Sequence, residues 1–378
     1  MPPILKTTLE GGTMRDIILS IQNLNVKFSL RGKTLHAIRD VSLDVYRAES
    51  LAIVGESGSG KSVLNKNLVG LLDPNGRIDS GDILYYKKAS SASRTTDESV
   101  RAESCVNLAR LKKEKDWLPI RGREICMIPQ DPMTSLNPLK TIGAQLYETV
   151  KLHHGMNARQ TKEACLSILN DVRIDLPEKR YYQYPHELSG GMRQRIAIAI
   201  AIACRPRILI CDEPTTALDV TIQAQVLTLL KEIKDKYHLT ILFITHDLGV
   251  VANIAERVAV MYAGDIVEIG TVDDIFYTPA HPYTWALLSS LPQLCSRGEP
   301  LLAIKGTPPS LFKEIQGDPF ALRNPNALNI DHMFMPPYYK ISDTHQARSW
   351  LLDPRAPKVS MPAVIDKIKH LGGTADAV

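Results

Sequence analysis

The sequence predicts an α/β fold built around a phosphate-binding loop, with a second, smaller unit towards its C-terminal end. Three observations carry this. Gly55-Glu56-Ser57-Gly58-Ser59-Gly60-Lys61-Ser62 is a complete G-x-x-x-x-G-K-S loop between an apolar strand, Leu51 to Val54, and a helical stretch, Lys61 to Leu72. Strand, loop and helix in that order are the context the loop requires. A second apolar run, Ile208-Leu209-Ile210-Cys211, ends in two acids, Asp212 and Glu213. Past Gly270 the composition changes, and residues 300–360 become rich in Pro and Asn with few periodic segments.

The remaining elements follow in chain order. Residues 1–15 carry Pro2-Pro3 and Gly11-Gly12 and read as a loose tail, within which Met14 is an alternative start. Ile17 to Phe28 and Ala37 to Val45 read as strands separated by the turn-prone Arg31-Gly32-Lys33. Residues 86–116, rich in Ser, Thr, Lys, Arg and Glu, read as a solvated surface insertion. Residues 138–180 hold two helical patterns, and the second starts at Asn157, a good N-cap, with Leu166, Ile168 and Leu169 on its apolar side. His153 and His154 are expected to face solvent. Val220 to Tyr237 is an amphipathic helix, with Ile222, Val226, Leu229, Leu230, Ile233 and Tyr237 at helical spacing. Thr240 to Ile244 is a buried strand, and Val258 to Tyr262 with Asp265 to Ile269 forms a hairpin around Ala263-Gly264. No internal repeat is present.

Composition removes several classes of function. The 378 residues are enough for a large core plus one smaller unit. Lys and Arg total 45 against 41 Asp and Glu, and the balance of +4 is too weak to imply nucleic acid or a membrane surface. The six cysteines (105, 126, 165, 204, 211 and 295) have no metal-type spacing and read as reduced core residues of a cytosolic protein. No apolar stretch reaches the roughly 18 residues of a membrane-spanning helix, and no basic-then-apolar leader opens the chain. Contact with a membrane is therefore expected through another protein.

The glycines of residues 55–62 let successive backbone N–H groups turn inward around phosphates, at a helix N-terminus that favours negative charge. Lys61 is expected to reach the β- and γ-phosphates and Ser62 to ligate Mg²⁺. Two adjacent acids at a buried strand end are costly without a cation or a task. Asp212 is the expected partner of Mg²⁺-bound water, and Glu213 the general base that polarises the attacking water. An acid pair opening a helix is the plainer alternative. His246, in Thr245-His246-Asp247, follows a strand, where a lone histidine is more often structural than catalytic. Gln130, in Met127-Ile128-Pro129-Gln130-Asp131-Pro132, could equally be a turn residue. Ser189 is well placed as an N-cap, leaving the N–H groups of Gly190 and Gly191 at a helix start.

Leu188-Ser189-Gly190-Gly191-Met192-Arg193-Gln194-Arg195, standing just before the strand that ends in Asp212-Glu213, resembles the signature of ATP-binding-cassette ATPases. It departs from the common pattern in carrying Met192 where many members have glutamine. The resemblance implies a P-loop NTPase with a RecA-like core, an antiparallel β subdomain, a helical subdomain at about 131–190 and a C-terminal extension. The nucleotide-binding domain would span 16–270 and the extension 271–378. It implies ATP and Mg²⁺ as ligands, Gln130 as a Mg²⁺ and water contact, and His246 as a γ-phosphate sensor. Ser189, Gly190, Gly191 and Met192 would close over ATP held by a partner subunit. Pro214-Thr215-Thr216-Ala217-Leu218-Asp219 resembles the loop at the dimer interface. Phe28 is the best-placed residue to stack on adenine, with a place in the core as the alternative.

Val258 to Glu268, His281-Pro282-Tyr283-Thr284-Trp285-Ala286-Leu287-Leu288 and Gly306-Thr307-Pro308-Pro309 are similar to the ATPase subunits of oligopeptide and dipeptide importers. Such a subunit would work with a second ATPase, either a similar subunit or another copy. It would also need two membrane permease subunits and, indirectly, an extracellular peptide-binding protein, and it would sit peripherally on the cytoplasmic face of the membrane. Many relatives carry four cysteines near the C-terminus that suit an iron–sulfur cluster. Here the matching positions are Asp318, Asn324, Asp331 and Ser349, so no cluster is expected. A nickel or other small-solute importer subunit is the alternative within this branch. A soluble cassette ATPase acting on nucleic acid is the more distant one, and no basic helix or zinc module speaks for nucleic acid.

Overall fold

The computed structural model describes residues 16–87, 105–131, 135–216, 218–291, 304–363 and 365. The expected tail at 1–15 lies outside them, as do Cys295 and the Gly-Gly pair near the C-terminus. Two sheets organise the described chain. The first is antiparallel, formed by β1 (Ile17–Leu30), β2 (Lys33–Tyr46), β4 (Gly76–Tyr86) and β5 (Cys105–Asn107) in the order β2-β1-β4-β5. The second is built on a parallel core of β3 (Ser50–Val54), β6 (Ile125–Ile128), β7 (Ile208–Asp212), β8 (Thr240–Thr245) and β9 (Arg257–Tyr262). Antiparallel β10 (Asp265–Thr271), β11 (Tyr339–Lys340) and β12 (Gln346–Ala347) extend it, giving the order β11-β12-β10-β9-β3-β8-β7-β6.

The central strands read as unbroken apolar runs because both faces are covered. Every residue of β3, β7, β8 and β9 is buried. The switch point of the sheet lies where β3 is flanked by β8 and β9, and the phosphate-binding loop leaves the C-terminal end of β3 there. The loop opens α1 (Lys61–Leu68), four residues shorter than Leu72 because Gly70, with φ at +63°, turns the chain under the indole of Trp117.

Trp117 belongs to a segment for which composition misleads. Residues 105–117 are only in part a surface insertion: Arg110 and Lys112 to Lys115 are exposed as expected, but β5 pairs with β4, Leu108 is buried, and the short α2 (Glu114–Trp117) presses its indole into the core. Only 88–104 of the expected insertion lies outside the described residues.

The helical layer contains α3 (Ile142–His154), α4 (Ala158–Asp171), α5 (Pro177–Arg180) and α6 (Gly190–Ala203). Asn157 does cap α4, and its Oδ1 accepts the N–H of Gln160 while the Gln160 side chain accepts the N–H of Asn157. His153 and His154 are half-buried rather than solvated. His154 Nε2 lies 2.7 Å from the carbonyl of Ala203 and serves the C-terminal end of α6. Then come α7 (Val220–Tyr237), α8 (Leu248–Ile254), α9 (Val272–Tyr277) and α10 (Pro282–Ser289). The helix α7 has the bounds its periodicity predicts.

The change of composition at 270 is not a break in packing. Beyond it the chain returns as β12 against β10, with Glu268 opposite Ala347. Arg348 pairs with Asp265 at 2.7 Å, and His345 Nε2 meets Glu268 Oε1 at 2.7 Å, with both side chains buried. Glu268 also accepts the N–H groups of Ala280 and His281, which anchors the turn into α10. Phe320 completes a ring cluster with Tyr262 and Tyr283.

Candidate functional site

The loop of residues 55–62 is held by its surroundings before any ligand arrives. A Cβ on Gly55 would lie 2.1 Å from the carbonyl oxygen of Met261, so only glycine fits where β3 passes β9. Gly60, with φ at +107°, packs under the carbonyl of Ala37 and joins the antiparallel sheet to the loop. Lys61 is buried, and its Nζ donates to the carbonyls of Gly55 at 2.7 Å and Glu56 at 2.9 Å. Burial pushes the Lys61 ammonium below its ordinary range, and the charges of Glu213, Asp212 and Glu56 oppose that shift. Ser57, Gly58 and Ser62 are exposed, Ser59 is buried, and Glu56 and Gly60 lie between.

The acids stand at the C-terminal end of β7. Asp212 is 8% exposed, and its Oδ1 is buried without a hydrogen-bond partner. Burial, then the neighbouring Glu213 charge, pushes its carboxyl up, while Lys61 and a hydrogen bond from Ser62 pull it down. An orphaned buried carboxylate oxygen beside a serine hydroxyl is the donor set a hard, oxygen-seeking cation uses, so these residues fit Mg²⁺.

Glu213 has φ of 47°, a left-handed conformation that a glutamate adopts only where its surroundings impose it. Its N–H is fixed to the carbonyl of Ile244 on the next strand at 3.0 Å. Three side chains converge on its carboxylate. Gln130 Nε2 donates to Oε2 at 3.0 Å, Thr216 Oγ1 donates to the same oxygen at 3.1 Å, and His246 Nδ1 lies 3.1 Å from Oε1. Burial alone would raise this carboxyl, but the contacts with His246 and Thr216 and the charge of Lys61 outweigh it and hold Glu213 ionised.

Gln130, Lys61, Asp212, Glu213 and His246, far apart in sequence, thus meet at adjacent strand ends of one sheet. Ser189 caps α6, with Oγ accepting the N–H of Met192 at 3.4 Å. Ser189 and Gly190 are exposed, and a Cβ on Gly190 would meet nothing within 4 Å. Gly191 and Met192 are half-buried, with Gly191 against Ile222 of α7. Asp219 is exposed and caps α7 through Ile222 N–H at 3.0 Å. Pro132 and Ala217, from the two expected loops, lie outside the described residues.

Phe28 takes the core alternative: it is 7% exposed and packs in the core of the antiparallel sheet, against Gly76. Strand alternation is the reason: Leu24, Val26 and Phe28 share the inward face of β1.

Sequence reasoning missed three residues at this site. Thr216 lay in a quoted motif without a role. Tyr283 Oη accepts the N–H of Glu56 at 2.9 Å, and Arg323 forms two hydrogen bonds to the Glu56 carboxylate, at 2.6 and 3.0 Å. The aromatic of His281-Pro282-Tyr283 was the available signal for the first of these, and nothing local distinguished Arg323.

Comparisons with known proteins show the family. Residues 38–216 match the family model described as ABC transporter, and residues 267–330 match the model for the oligopeptide/dipeptide transporter C-terminal region. The oligopeptide transport ATP-binding protein AmiE of Streptococcus pneumoniae is 52% identical, over 96% of this chain and 98% of its own. OppD of Bacillus subtilis is 50% identical over 94% of this chain and 95% of its own. The dipeptide transport ATP-binding protein DppD of Lactococcus lactis is 50% identical over 91% and 93%. Among solved structures, the dimeric cassette MJ0796 superposes with a TM-score of 0.55 at 25% identity, covering 67% of this chain and 98% of that one. The chain is an ATP-binding-cassette ATPase of the ABC transporter family, and it belongs to the oligopeptide/dipeptide branch of that family.

Proposed function

We propose that this chain binds and hydrolyses ATP to drive peptide uptake through separate membrane subunits. The observation that carries the catalytic part is the convergence of Gln130, Thr216 and His246 on the ionised carboxylate of Glu213, beside Lys61 and the phosphate-binding loop. Glu213 is the general base for the attacking water. Gln130 and Thr216 hold one carboxylate oxygen, and His246 holds the other. That contact uses Nδ1 of the ring and leaves Nε2 as its second polar atom for the terminal phosphate. Lys61 and the loop amides bind the polyphosphate. Ser62, Asp212 and Gln130 would hold Mg²⁺, which supplies charge neutralisation at the phosphates when bound.

The signature at Ser189–Met192, with Ser189 and Gly190 exposed at a helix start, serves the nucleotide of a second subunit, with Asp219 at the interface between them. The partner is a similar ATPase subunit, or a second copy of this chain. Among the described residues no helix is long and apolar enough to cross a membrane. The likeness to transport ATP-binding proteins supports peripheral attachment to two permease subunits at the cytoplasmic face. The names of the relatives support oligopeptides or dipeptides as cargo.

Sedimentation of the Glu213→Gln variant with ATP, Mg²⁺ and the partner subunit tests the shared site. Dimers that form with ATP and dissociate when it is removed are expected. Monomers at saturating ATP would remove the partner role from Ser189.

A further inference from the structure

Glu56, the second residue of the phosphate-binding loop, is gripped from outside the cassette core. Arg323 donates from Nη1 to Oε2 at 2.6 Å and from Nη2 to Oε1 at 3.0 Å, a fork-to-fork pair. The guanidinium side chain is 4% exposed, and its other donations go to the Tyr262 hydroxyl and the carbonyls of Ile304 and Lys305. Tyr283 takes the Glu56 N–H at 2.9 Å while packing on Tyr262 with ring centroids 4.5 Å apart. Lys61 takes the Glu56 carbonyl at 2.9 Å. Side chain, N–H and C=O of one loop residue are therefore all held, two of them by residues beyond 270.

The charge of Glu56 matters as much as its position. Its carboxylate acts electrostatically on Lys61, as do Glu213 and Asp212. Asp212 stands beside Ser62 where a cation fits, and Glu213 is the base. Glu56 has no such task, and an unpaired carboxylate beside a polyanion's binding loop opposes binding. Arg323 pairs with that charge at both carboxylate oxygens.

From this geometry we infer that Arg323 and Tyr283 of the C-terminal extension are positioning residues for the phosphate-binding loop, so that the extension sets the cassette's affinity for the polyphosphate of ATP. The inference rests on the proposed ATP site and adds a part to it. It assigns the extension a task in nucleotide binding that does not depend on a metal cluster. Any movement that withdraws residues 304–323 from the loop would weaken nucleotide binding at this subunit.

The test is calorimetric titration of the purified full-length chain with Mg-ATP and Mg-ADP, with melting temperatures measured in parallel. Arg323→Gln should raise the Kd for both nucleotides about tenfold, because one uncompensated charge is left at the loop. Adding Glu56→Gln to that variant should recover most of the loss, and Arg323→Lys, which keeps the charge without the fork, should lie between. Tyr283→Phe, which removes only the acceptor for the Glu56 N–H, should cost about threefold. A general packing role predicts lowered melting temperature with unchanged Kd in the folded fraction and no rescue by Glu56→Gln, and that pattern would overturn the inference. Lys61→Ala is the control for the site itself. If it abolishes binding while Arg323→Gln leaves Kd unchanged, the inference fails and the ATP site stands. If the wild-type chain binds neither nucleotide, the ATP site itself fails.

Discussion

Glu213 and His246 meet across the ends of two adjacent parallel strands, with Oε1 3.1 Å from Nδ1. Neither strand holds the contact alone. It exists because β7 and β8 are neighbours in register and because the Glu213 backbone takes a left-handed turn at φ 47°. The proposed catalytic base is thereby oriented by a residue more than thirty positions away.

Glu213→Gln keeps the shape and an oxygen for His246 but removes the base. Hydrolysis in the assembled transporter should fall by about 10²–10⁴ while ATP binding persists. His246→Ala should lower turnover by about 10², with the Kd for ATP little changed, because the proposed role of the ring is toward the reacting phosphate rather than the loop. Single-turnover rates near wild type for either variant would take that residue out of the reaction.

Two glycines should respond in opposite ways. Gly55→Ala drives a Cβ into the Met261 carbonyl at 2.1 Å, backbone against backbone, and should destabilise the fold by about 1–3 kcal/mol while abolishing nucleotide binding. Gly190→Ala meets nothing within 4 Å, so the monomer should melt as wild type and bind ATP normally. Its defect should show only in ATP-driven dimerisation. Melting curves with sedimentation separate the two, and an unstable Gly190→Ala monomer would contradict the exposed placement of the signature.

Asp318 carries a pH dependence of stability. Burial pushes its carboxyl up to about 7, with Asp331 and Asp265 adding to the shift and Arg348 opposing it. A carboxyl raised in the folded state favours its neutral form there. Its contribution is therefore fully present below the ordinary carboxylate pKa of about 4 and is lost as pH rises towards 7. Asp318→Asn keeps the oxygen that accepts the Phe320 N–H and cannot ionise. Its melting temperature should exceed wild type at pH 8 and converge with it near pH 4. Parallel curves across that range would show that Asp318 does not titrate between folded and unfolded states.

The four positions that the family resemblance sets against cluster cysteines each serve their own turn. Asp318 accepts from Phe320 N–H, Asn324 from Asn326 N–H, Asp331 from Leu328 N–H and Ser349 from Leu351 N–H. Protein purified without oxygen should carry no stoichiometric iron, and visible cluster absorbance would contradict this.

Much of the core was legible because its signals are local or periodic. Val220 to Tyr237 needed only its apolar spacing, the start of α4 only Asn157, and the phosphate-binding loop only its glycines between strand and helix. Residues joined by long-range packing were not legible. Cys105–Asn107 is a three-residue strand in polar surroundings, visible only once β4 lies beside it. The two-residue strands β11 and β12 have no period to read, and they exist because β10 offers an edge. Phe28 was a candidate only through the family resemblance, whereas the face of β1 on which it lies is set by alternation. At the site, Lys61, Asp212 and Glu213 followed from motif chemistry. The grip of Arg323 on Glu56, 267 residues away, could come only from the folded chain.

The most direct measurement of the central claim is uptake of a labelled tetra- or pentapeptide by cells in which the Lys61→Ala chain replaces the wild type and no duplicate ATPase is present. Lys61 is the buried cation of the phosphate-binding loop, so its loss should stop uptake while the extracellular receptor still binds the peptide with unchanged affinity. Uptake at the wild-type rate would contradict peptide import by this chain and leave the metal or small-solute importer ahead.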